Sequence, residues 1–112
     1  MSLYGILESP MNELIADKQK QLSELCRRFH VRRLALFGSS LNSDFDPGRS
    51  DLDFLVEFQT LAEGEHAHSY FGLSEALQTL FGRPVDLIER DAIRNPYIKQ
   101  EIERTQQTVY GA

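Results

Sequence analysis

At 112 residues the chain has the size of one domain with a single core, and its make-up, 41% hydrophobic and 26% charged, is that of an ordinary globular protein. The net charge of −5 speaks against broad binding to a nucleic-acid backbone, and no apolar run approaches the ~18 residues needed to span a bilayer. A lone Cys26 excludes an internal disulfide, and the opening MSLYGILESPMNEL lacks the basic flank and long apolar stretch of a secretion signal, which together predict a cytoplasmic protein with no membrane partner.

Leu14, Ile15, Leu22, Leu25, Cys26 and Phe29 recur at helical spacing and predict an N-terminal helix over about 11–30, with Asn12 as its cap. Cys26 lies on that apolar stripe, which makes it a packed core thiol rather than a nucleophile. His30 falls at the helix end, where a positive charge suits the dipole, and Arg27, Arg28, Arg32 and Arg33 form a basic patch around it. The short apolar run Arg33-Leu34-Ala35-Leu36-Phe37, stopped by Gly38, predicts a buried strand. One or two helical turns follow over Ser39 to Phe45, and Asp46-Pro47-Gly48 reads as a turn.

From Asp51 to Phe58 the chain alternates: Leu52, Phe54, Val56 and Phe58 face one way, and Asp51, Asp53, Leu55 and Glu57 the other. After a polar loop over 59–65, apolar positions Tyr70, Leu73, Leu77 and Leu80 predict a helix over His68 to Phe81, stopped by Gly82 and Pro84. His66 and His68, with no second ligand cluster, are taken as solvated. Val85-Asp86-Leu87-Ile88 is a third short strand. Asn95-Pro96 supplies the cap and first turn of a last helix over about 95–107, with Tyr97, Ile98 and Ile102 turned inward. The expected architecture is a single α/β (α+β) domain over 1–112, a small mixed sheet of three to four strands flanked by helices, with the core over about 31–90.

The acidic excess is local. Residues 1–33 carry six Lys/Arg against four Asp/Glu, whereas residues 34–112 carry six against thirteen. Asp51 and Asp53, at i and i+2 of a strand, share a face about 6.6 Å apart, where two charges repel by roughly 2.5 kcal/mol at an effective dielectric near 20. Water alone can tolerate such a pair on an open surface, so a wet strand face is one reading; in a cleft the pair needs a cation. Gly38-Ser39 ends a strand where backbone amides can cradle an anion, and it could equally be an ordinary strand-to-helix turn. Asp86 sits among apolar neighbours, a costly place for a carboxylate unless it is paired, metal-bound or exposed at a sheet edge. Arg49, just ahead of the pair, could contact phosphate or offset the local negative charge. Taken together, a phosphate-type turn, an Asp-x-Asp strand and a later Asp suit Mg²⁺ with a nucleotide, two ions between three carboxylates, and so nucleotidyl transfer.

The combination FGSS…SDLDFLVEF…GRPVDLIE resembles the minimal nucleotidyltransferase family of the DNA-polymerase-beta-like nucleotidyltransferase superfamily, from about Val31 to the C-terminus. The resemblance implies the nucleotidyltransferase fold, an NTP substrate with Mg²⁺, Gly38 and Ser39 on the triphosphate, and Asp51, Asp53 and Asp86 as metal-holding catalytic carboxylates. It also implies a HEPN-domain toxin as partner in a hetero-oligomer, with AMP moved from ATP to a toxin tyrosine. Many members place ten residues between Gly-Ser and the first Asp; here Ser40 to Ser50 is eleven, the extra one falling near Asp46-Pro47-Gly48-Arg49. Two rival readings remain open: a non-catalytic antitoxin that neutralises a HEPN ribonuclease by stoichiometric binding, and an interaction module whose Asp strand is simply wet.

Overall fold

The computed structural model describes residues 10–38 and 51–111. Two helices, α1 (Pro10–Asp17) and α2 (Gln19–Arg28), lead into β1 (Val31–Leu36). Then come β2 (Leu52–Phe58), α3 (Glu63–Phe81), β3 (Val85–Glu89), a 3₁₀ turn over Arg90–Ala92, α4 (Pro96–Thr105) and β4 (Gln107–Tyr110). The four strands form one sheet in the order β3-β2-β1-β4. β1 runs antiparallel to both β2 and β4, and β2 runs parallel to β3.

Period-2 alternation decides which face of the sheet is buried. Leu52, Phe54 and Val56 of β2 and Val85 and Leu87 of β3 turn to one side, where Leu22 and Cys26 of α2 and Leu73, Leu77 and Phe81 of α3 close over them. Phe54 and Phe81 meet with ring centroids 6.0 Å apart. Cys26 is fully buried in this layer, and burial pushes its thiol up to about 12, which confirms a core residue and removes it as a nucleophile.

Several expected elements differ in the structure. The single N-terminal helix is two, because the Lys18 amide bonds to Ile15 O, three residues back, and the turn tightens there before Leu22 N resumes on Lys18 O. α3 begins five residues earlier than its apolar pattern, at Glu63; Glu63 and Glu65 in its first turn favour the helix through its dipole although neither is buried. His66 is therefore helical and not simply solvated: its Nε2 lies 2.5 Å from Glu89 Oε1, and its ring meets Phe58 edge-on at 5.6 Å. His68 stays exposed with Phe29 nearby at 6.4 Å. The segment after α4 forms a fourth strand, a β-branched and aromatic run (Thr108, Val109, Tyr110) that pairs along β1. Tyr97 and Ile98, expected inward, are 80% and 52% exposed, and of the three only Ile102 is partly covered. Arg33 leaves the basic patch to bridge Glu57 at 3.8 Å and Thr108 at 3.3 Å.

α2 closes without a glycine. His30 takes the left-handed conformation (φ 59) and its carbonyl accepts from Gln59 N at 2.9 Å, which ties the helix end to the end of β2. A side chain in that conformation costs about 1–2 kcal/mol, of which the extra unfolded-state freedom of glycine returns part. His30→Gly is accordingly expected to raise stability by about 0.5–1 kcal/mol, read as a melting temperature higher by roughly 2–4 °C. A lower melting temperature would show that the imidazole makes contacts worth more than the strain.

Candidate active site

The sheet face opposite the helices carries the residues of interest. β2 and β3 run in parallel register, with Asp53 directly beside Asp86 and Leu55 beside Ile88. Laterally paired residues of parallel strands point to the same face, about 4.8 Å apart at the backbone, so the two carboxylates project side by side. Leu52 and Val85, one residue earlier, are buried on the helical side, which fixes this parity independently. Asp51 lies just before β2 and is exposed; its i, i+2 relation to Asp53 places it on the same side.

The Asp86 carboxylate does not require the argument from burial. β3 is an edge strand and Asp86 is exposed, so water tolerates its charge. Its register with Asp53, rather than its apolar neighbours in sequence, ties it to the site. Asp53 is half-buried in an interior strand.

The chain leaving β1 presses against Asp53. Phe37 N donates to Asp53 O at 3.0 Å, and Gly38 follows with φ +66. A Cβ placed on Gly38 would stand 2.8 Å from Asp53 Oδ2, closer than real Cβ atoms come, and at an ordinary 3.5 Å from its Cγ. The conformation favours glycine here, and any larger residue would also push the Asp53 carboxylate aside. The expected turn after β1 and the expected carboxylate strand are brought into contact. Ser39, Arg49, the helical turns over 39–45 and the turn at Asp46-Pro47-Gly48 lie outside the described residues.

The donor chemistry fits a hard divalent cation: carboxylate oxygens from two adjacent strands, with the glycine's missing side chain leaving room beside one of them. Mg²⁺ commonly takes only one or two carboxylates and completes its shell with water and phosphate oxygens, which an open face allows. Among the described residues no three His, Cys, Asp or Glu side chains are already gathered closely enough to hold an ion. A concavity of about 730 Å³ lies elsewhere, between α2 and α3, walled by Leu25, Phe29, Ala76 and Leu80, and none of the three aspartates borders it. The carboxylates lie on the opposite face of the sheet, where Asp51 and Asp86 are exposed and Leu55 is buried.

Sequence reasoning missed one residue of this face. Ile88, read only as part of a third short strand, is 37% exposed two positions beyond Asp86. The alternation of buried Val85 and Leu87 with exposed Asp86 and Ile88 was the available signal, short as it is at five residues.

Comparison with known proteins places this geometry in context. The model of a nucleotidyltransferase domain matches residues 18–107. Two proteins of Methanocaldococcus jannaschii, each named as a candidate protein adenylyltransferase, are 36% and 34% identical to this chain over 95 residues, covering 85% of it and 90% of each relative. Among solved structures, a minimal nucleotidyltransferase superposes with a TM-score of 0.70 at 26% identity over 88% of this chain and 95% of that one. A toxin–antitoxin complex with AMP-PNP (TM-score 0.60, 19% identity, 84% of this chain and 73% of that one) shares the fold. So does an MNT antitoxin bound to a tri-AMPylated Shewanella oneidensis HEPN toxin (0.59, 18%, 88% and 73%). The expected mixed sheet with flanking helices is the one these structures have.

Proposed function

Because this chain belongs to the nucleotidyltransferase domain family, we propose that it moves an adenylyl group from ATP onto a hydroxyl of a partner protein, a tyrosine of a HEPN-domain toxin, and so acts as an antitoxin. The observation that carries this reading is the side-by-side register of Asp53 and Asp86 on one face of the sheet, with Gly38 packed against the Asp53 carboxylate. Relatives named for protein adenylylation, and fold neighbours bound to a HEPN toxin and to AMP-PNP, support the choice of donor and acceptor.

In this mechanism Gly38 admits phosphate oxygens close to the backbone beside Asp53, and Ser39 and Arg49 donate to the triphosphate. Asp51, Asp53 and Asp86 would hold two Mg²⁺ ions, which when bound would supply charge neutralisation for the phosphates and the departing pyrophosphate. Asp86, exposed on the edge strand, is a carboxylate that an incoming protein can reach. It accepts the proton of the acceptor hydroxyl as that oxygen bonds to the α-phosphorus. The bond from the α-phosphorus to the bridging oxygen of the β-phosphate breaks, and pyrophosphate leaves with the electron pair. The acceptor ends as a phosphodiester to AMP.

The test is incubation of the protein with its cognate HEPN-domain protein and ATP labelled at either the α- or the γ-phosphate. Label from the α-position is expected on the partner, none from the γ-position, and EDTA is expected to abolish transfer. An unlabelled partner at saturating Mg²⁺, or transfer undiminished by EDTA, overturns the reading. The exposure of Asp51 and Asp86, whose charges water alone can support, favours one alternative, stoichiometric neutralisation without chemistry. On that alternative the Asp53→Asn/Asp86→Asn variant still silences the toxin in cells at ordinary expression.

A further inference from the structure

We infer that the first turn of α4, with Ile88 of β3, is the docking surface for the acceptor protein, and that it takes a partner segment of apolar side chains flanked by carboxylates. The inference rests on the adenylyl-transfer reading for the identity of that partner, but its physical grounds are separate. Tyr97 is 80% exposed, Ile98 52% and Ile88 37%, whereas most large apolar side chains of the described residues are buried or half-buried. Ile88 is on the same face as Asp86, about 6.6 Å along the strand. The chain then passes through one 3₁₀ turn to Asn95 and Pro96, so Tyr97 and Ile98 come next in the chain after the strand that carries Asp86.

The turn is held rigid. Asn95 Oδ1 accepts from Tyr97 N at 2.9 Å and from Ile98 N at 3.3 Å, and proline stands at the first helical position. Behind it, Arg90 grips Glu103 Oε2 through Nε at 2.9 Å and Nη2 at 2.6 Å, locking the helix to the end of β3. An exposed aromatic on a fixed backbone loses little freedom when it is covered, which is what a binding anchor needs.

Charge selects the occupant. Arg104 of this helix is paired with Glu101, and Arg90 of the 3₁₀ turn with Glu103, yet among the described residues no carboxylate pairs with Arg94 or Lys99, which flank Tyr97 and Ile98. Two unpaired cations beside an apolar turn, on a chain of net charge −5, complement an acidic rim on the partner and repel a basic one. A nucleic acid would ask for a broader basic field than two side chains provide.

The experiment measures, by calorimetry, the dissociation constant of the full chain for its cognate HEPN-domain protein, alongside label transfer. Tyr97→Ser/Ile98→Ser is expected to weaken binding by about tenfold or more, and Arg94→Glu/Lys99→Glu to weaken it and flatten its salt dependence. Phe71→Ser, which removes an equally exposed aromatic (69%) from α3 in the other layer, is expected to leave the dissociation constant unchanged. Melting temperatures within about 2 °C of wild type confirm that these surface variants fold. An unchanged dissociation constant for Tyr97→Ser/Ile98→Ser overturns the surface, as does a wild-type chain that does not bind, or an equal loss in Phe71→Ser. A wild-type chain that binds through Tyr97 and Ile98 but transfers no label retains the surface and removes the adenylyl-transfer reading.

Discussion

Asp53→Asn is expected to lower the rate of adenylyl transfer by about 10³-fold, roughly 4 kcal/mol of barrier, while the variant remains folded. Asp53 is the one carboxylate of the three that is half-buried, in an interior strand, and in contact with the backbone turn that follows β1. Removing its charge takes away a ligand for the cation, and it also takes away repulsion from Asp86, about 0.9 kcal/mol at strand spacing and the dielectric of water. The two effects act on different observables and have opposite signs. Asp86→Asn is expected to reduce transfer by the ~10²–10⁴-fold typical of a lost general base, also without loss of stability. Parallel label-transfer and thermal-melt measurements decide the matter; wild-type turnover by Asp53→Asn, or a collapse in its melting temperature, would remove the role given to it.

Gly38→Ala combines two penalties that a second glycine separates. At φ +66 an alanine costs about 1–2 kcal/mol of backbone strain, or roughly 4–8 °C in melting temperature for a domain of this size. Its Cβ also stands 2.8 Å from Asp53 Oδ2, so the carboxylate must swing away. Gly82, which ends α3 at φ +64, has open space around the position of a Cβ. Gly82→Ala is therefore expected to lose similar stability and keep transfer, whereas Gly38→Ala loses stability and at least ~10²-fold in transfer, the cost of a misplaced catalytic group. Equal activity in the two variants would mean that the orientation of Asp53 does not matter.

How far the sequence carries can be judged from these residues. The alternation in DLDFLVEF is long enough to put Asp53 opposite Phe54, and the structure keeps that parity. The Gly38 stop after a buried run likewise survives as a glycine of positive φ. What periodicity along one strand does not contain is the neighbour: that Asp53 lies beside Asp86 depends on a pairing between segments more than 30 residues apart. The start of α3 was hidden because Glu63 and Glu65 act on the helix dipole without adding to an apolar stripe. Tyr97 and Ile98 look like core residues by composition, yet α4 buries none of its residues fully, so an apolar side chain there signals something other than packing.

Of the strand pairings among the described residues, only β2 with β3 is parallel, and a parallel pair cannot be closed by a tight turn. The 19-residue α3 is the crossover that brings the second aspartate alongside the first. A nascent polypeptide that has emerged only through β2 therefore owns half of its acidic pair, and misses the other half until the crossover has condensed onto the sheet. On the adenylyl-transfer reading, chemistry in such a chain waits until β3 has paired beside β2.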